Sequence, residues 1–72
     1  MNIKDQKELL GKFSAGRLGM LLPEYQARRA TLFALKDLTV REVARGEGVS
    51  VGKVRKSLDR AVHYMEIVEA NS

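Results

Sequence analysis

The stretch Leu38–Ala61, LTVREVARGEGVSVGKVRKSLDRA, decides the fold. It reads as two helices joined by a tight turn, the layout of a helix-turn-helix. Thr39 precedes an apolar-periodic run and Glu42 follows three residues later, the spacing of a capping box. Val40, Val43 and Ala44 then share one helical face. Ala44 is small, as a position crossed closely by a second helix must be. Gly48 stands where the chain turns, and a left-handed backbone there is cheap only for glycine. Val49 plugs the turn into the core, and Ser50 is a good N-cap for the second helix. Val54, Leu58, Ala61, Val62 and Met65 form the buried stripe of that helix.

Its outward face follows by rotation, at roughly 100° per residue. Gly52, Lys53, Lys56, Arg60 and His63 point away from the stripe, and Arg55, Ser57 and Asp59 flank it. The face suited to a major groove is therefore Lys53, Lys56 and Arg60, with Gly52 permitting close approach. Arg55, and Arg41 on the first helix, complete the set of DNA-contacting candidates. A plain solvated helix surface is the competing reading, but turn, caps and basic face coincide here.

At this point Leu22–Ala61 resembles region four of bacterial RNA-polymerase sigma factors and the small regulators built on that unit. The resemblance rests on Leu22-Pro23-Glu24 with Gln26, on Leu38-Thr39, and on Glu42-Val43-Ala44. It continues through Gly48-Val49-Ser50-Val51-Gly52 and ends with Val54, Leu58, Arg60 and Ala61. It implies that the helix starting at Ser50 reads promoter DNA in the major groove, and it gives Lys53, Lys56, Ser57 and Arg60 that role. It also implies RNA polymerase as a possible partner. Three positions depart from the pattern: Arg29, Gly46 and Glu47 stand where the family usually has apolar residues. The end of the first helix is accordingly expected to be frayed or shortened, since an interior glycine costs ~1 kcal/mol relative to alanine. The other sigma regions are absent from these residues, so promoter melting is not expected of them.

Working outward, residues 2–13 read as a short amphipathic helix that Asn2 caps, with Ile3, Gln6, Leu9, Leu10 and Phe13 on one side. Ser14-Ala15-Gly16-Arg17 reads as a break. Leu18–Leu22 is a turn of helix or a packed connector. Pro23 suits the first position of the next helix, which runs through Leu35 and ends near Lys36-Asp37. Arg28 and Arg29 on its surface are candidates for phosphate contact or for ordinary solvation. The last helix continues to about Glu69. Its later apolar residues Tyr64, Ile67 and Val68 turn away from the main stripe. They need cover from the N-terminal helix or from a second copy of the chain.

These elements add up to an all-α fold, a small bundle of four to five helices containing a helix-turn-helix. It forms one domain over 1–72, comprising an N-terminal helix and connector (1–21), the sigma-like unit (22–63) and a C-terminal helix extension (64–72). Seventy-two residues without cysteine make a small core with no disulfide to reinforce it, which favours oligomerisation. A homodimer is the expected state. The formal charge of +4 and the pI of about 9.8 suit an anionic partner. From Lys53 to Arg60 four positive groups accompany one negative. No apolar run is long enough for a bilayer or a signal-peptide core, so a cytoplasmic location without membrane contact is expected.

Little points to catalysis. His63 is the single histidine, and a metal site needs three or four ligands. Gly46-Glu47-Gly48 lacks the Lys-Ser/Thr of a phosphate loop. Ser50 and Ser57 have no evident general base. A non-enzyme without metal or cofactor is expected, with double-stranded DNA as partner and transcription regulation as role. Two alternatives stay open: a polymerase-binding or other protein-interaction module, and the DNA-recognition subunit of a larger machine such as a viral packaging enzyme.

Overall fold

A computed structural model describes all 72 residues. The chain forms five helices and no strand: α1 (Ile3–Leu10), α2 (Ala15–Leu21), α3 (Glu24–Ala30), α4 (Val40–Glu47) and α5 (Val51–Ala70). Four of the five begin at a side-chain cap. Asn2 accepts from the Asp5 amide, Ser14 from Arg17, Thr39 from Glu42 and Ser50 from Lys53, at 2.8–3.1 Å. Thr39 and Glu42 close the expected capping box, with the Glu42 carboxylate accepting from the Thr39 amide at 2.9 Å. Each cap satisfies a donor that the first helical turn leaves without a partner.

Four stretches differ from the sequence reading. The first helix stops at Leu10 rather than Phe13. Ser14-Ala15-Gly16-Arg17 is not a break but the cap and first turn of α2, because the Ser14 hydroxyl meets the Arg17 amide. The helix opened by Pro23 does not run on uniformly to Leu35. After Ala30 it widens into a π-turn over Thr31–Leu35, closed by Lys36 N–H to Thr31 O at 3.0 Å. Asp37 then takes a left-handed backbone, φ 59°, and its carboxylate holds the Lys7 ammonium at 2.8 Å. The fourth difference is the end of α4. It is neither frayed nor shortened: Gly48 takes φ 67°, ψ 33°, and the Val49 amide returns to Ala44 O at 3.0 Å. That is a Schellman-type stop, and the partly buried Val49 packs against the core beside it.

α5 is the axis of the molecule, with α1, α3 and α4 packed around it. Its expected stripe is buried: Val54, Leu58, Ala61, Val62 and Met65. Leu9, Leu10, Leu18, Phe33 and Val43 complete the centre of the core. Small residues, Ala27 and Ala30 on α3, Ala44 on α4 and Ala61 on α5, are buried with them. Gln6 also ties α1 to α5 through Asp59 at 2.8 Å, and Lys12, just past the end of α1, reaches Glu69 of α5 at 3.3 Å. The strip left without cover in the sequence divides. Val68 packs against the core, whereas Tyr64 and Ile67 stay 45% and 48% exposed.

Two substitutions test this turn. Ala44→Leu is expected to overpack the α4–α5 crossing by ~1–3 kcal/mol. Gly48→Val forces a β-branched residue into the left-handed region, where even an ordinary side chain costs ~1–2 kcal/mol. For a chain of this length each should lower the melting temperature by several degrees. Unchanged melting in both variants would place the turn elsewhere.

Candidate nucleic-acid interface

The Ser50 cap fixes where α5 begins and therefore which way each of its side chains points. Gly52, Lys53, Lys56 and Arg60 emerge on one exposed side. A Cβ built on Gly52 would meet only the Ser50 hydroxyl at 3.9 Å, so the fold itself does not require glycine there. Arg55 is exposed on the other flank, lining a shallow recess with Ile3 and Val40. Arg41 is exposed in the first turn of α4. The cations of all four ion pairs, Lys7, Lys12, Arg28 and Arg29, lie outside α5. Lys53, Arg55 and Lys56 have no intramolecular ion pair. The Arg60 guanidinium lies beside the Tyr25 hydroxyl, which also accepts from Gln26 Nε2 at 3.2 Å. The Gln26 bond first, and the Arg60 guanidinium after it, draw the phenol below its ordinary pKa against the opposing pull of burial.

Ser57 is the exception among the candidates. The resemblance places it on the DNA-reading face, but it is only 4% exposed. Its hydroxyl accepts from Arg29 Nη1 at 2.7 Å and donates to Lys53 O at 3.0 Å. A hydroxyl committed in both directions within the bundle is not available to a base edge. Ser57 belongs instead to a polar hub joining α3, α4 and α5.

The centre of that hub is Glu47, the last residue of α4. Its carboxylate accepts from Arg28 Nε at 2.8 Å and from Arg29 Nε at 2.7 Å. The Glu47 and Arg29 side chains are about nine-tenths buried, with 10% and 11% exposure. The Arg29 guanidinium also lies 5.4 Å from the Tyr25 ring centre. Burial alone pushes the Glu47 carboxyl up. The hydrogen bonds from Arg29 and Arg28, with their charges, outweigh that and hold it below the usual glutamate value. The same contact raises Arg28. Arg29 is thus occupied within the protein, whereas Arg28 pairs with Glu47 from a half-exposed position. Arg29 and Glu47, two positions that the sequence reading treated separately, are one feature, an ion pair at the junction of α3 and α4. Their opposite charges were the available signal. No buried side-chain polar atom lacks a partner.

The His63 side of α5 is exposed, and no group of three His, Cys, Asp or Glu residues is placed to hold a metal ion. No helix is long and apolar enough to cross a membrane. Comparison with protein-family models, with curated proteins and with solved structures finds no match to this chain.

Proposed function

We propose that this chain is a sequence-specific DNA-binding module, a regulator of transcription, that inserts the first half of α5 into a major groove. One observation carries the reading. Lys53, Lys56 and Arg60 share an exposed side of the second helix of a helix-turn-helix, while the ion pairs take their cations from elsewhere in the chain. Lysine and arginine present the donors that guanine N7 and O6 accept in the major groove. Gly52, near the start of the helix, lets the backbone approach closely. Arg41 on α4 and Arg55 on the flank supply charge for neighbouring phosphates, contacts that orient a protein without reading sequence. The net charge of +4 favours the same partner. Selection from a pool of random duplexes tests the proposal. The expected result is enrichment of one short motif whose recovery falls when Lys56 is changed to alanine. A pool left unenriched would remove sequence-specific reading.

A further inference from the structure

The outward face of α5 has one edge that another helix grips. Ser57 lies on that edge, one turn beyond Lys53, next to Lys56 and one turn before Arg60. α3 reaches α5 there. Arg29 Nη1 donates to the Ser57 hydroxyl at 2.7 Å, and the hydroxyl donates in turn to Lys53 O at 3.0 Å. That carbonyl belongs to a residue whose side chain stands in the face itself. Arg29 is held from two other sides, by the Glu47 carboxylate at 2.7 Å and by the Tyr25 ring. Tyr25 sits one turn earlier on α3, and its hydroxyl lies beside Arg60. Two residues one turn apart on α3 thus meet two residues one turn apart on α5, along a single edge.

Stability alone does not account for a polar junction at this place. Val54, Leu58 and Ala61 already pack α5 into the core, and a buried ion pair adds little over apolar residues of similar volume. What the pair adds is direction. Apolar contact is non-directional and tolerates a small roll of a helix about its axis. A 2.7 Å hydrogen bond from the planar Arg29 guanidinium does not. Reading a base edge requires side chains held within about 0.5 Å and 10–20°, whereas attraction to phosphates is indifferent to sequence. We infer that Arg29, locked by Glu47 and acting through Ser57, is a positioning residue for DNA reading: it fixes the roll of α5 and so the aim of Lys53, Lys56 and Arg60. This role presupposes the DNA-binding reading above. It makes the hub a determinant of specificity, separable from its part in stability.

Two variants release the grip in different ways. Ser57→Ala removes the acceptor and leaves the Arg29–Glu47 pair. Arg29→Met with Glu47→Leu removes the donor and empties the junction of charge. Neither changes the net charge, and both keep Lys53, Lys56 and Arg60. Affinities of parent and variants are compared on the duplex motif selected by the parent and on random duplex, at one salt concentration and well below each melting temperature. Helix content by circular dichroism confirms that each variant is folded. Affinity for random duplex is expected to stay within about twofold of the parent, because the phosphate-directed charge is unaltered. Preference for the motif over random duplex is expected to fall about tenfold in both variants, the worth of one good base contact. A fold defect alone would lower both affinities together. Motif preference kept in either folded variant, or motif and random affinities falling in parallel, overturns the positioning role. The two readings fail separately. A parent that enriches no motif removes the sequence reading itself, whereas a parent motif that survives release of the grip removes only the role of Arg29.

Discussion

Glu47→Leu is expected to destabilise the protein by about 3 kcal/mol, the cost of leaving a buried partner charge uncompensated. Arg29 would keep its guanidinium beside Ser57 but lose the carboxylate that neutralises it. In a domain of this size such a loss lowers the melting temperature by more than about 10 °C. The double variant Arg29→Met, Glu47→Leu is expected to recover most of that stability, because it removes both charges together and leaves an apolar junction. The pair also imposes a pH dependence. Glu47 is held below its ordinary value in the folded state, so its contribution is complete above the unfolded glutamate pKa of about 4.3. It is lost as pH falls through the depressed folded value. Thermal melts of parent and double variant from neutral to acid pH should converge as this contribution disappears in the parent. A single Glu47→Leu variant as stable as the parent would show that the hub contributes nothing.

Replacing Lys53, Lys56 and Arg60 together with alanine is expected to leave the fold intact and to reduce affinity for duplex DNA by at least about a hundredfold at moderate salt. The fold survives because all three side chains are exposed and none forms an ion pair. Arg60 gives up only its place beside the Tyr25 hydroxyl. Where the three touch phosphates, the dependence of log K on log salt should also flatten by about 0.9 for each contact removed. Single variants separate their roles. A base-reading lysine changes preference at one position by ~1–3 kcal/mol, whereas a phosphate contact weakens all sequences alike. Full affinity in a folded triple variant would take the proposed function away from this face.

What was legible in the sequence was local. The caps at Asn2, Thr39 and Ser50, the left-handed Gly48 and the stripe from Val54 to Met65 each depend on residues within a turn or two of one another. Local rules therefore located them. Ser14 obeys the same capping rule, but a serine and a glycine within four residues also read as a break. The π-turn at Thr31–Leu35 has no composition that sets it apart from ordinary helix. The hub was hidden for a different reason. Arg29 bonds to Glu47 and Ser57 across 18 and 28 residues of sequence, a pairing that exists only once α3, α4 and α5 are assembled. Rotation about α5 alone put Ser57 on a flank, and α3 decided that this flank faces inward. Lys53, Lys56 and Arg60 were identifiable because an outward position on an isolated helix stays outward when no other element covers it.

The most direct test of the proposed function is a salt titration of the unmodified chain on random-sequence duplex DNA. A chain that lays Lys53, Lys56 and Arg60 against DNA should bind at low salt. Its log K should then fall linearly with log salt, with a slope of about −0.9 for each phosphate neutralised. Absence of binding at low salt, or binding indifferent to salt, would contradict it.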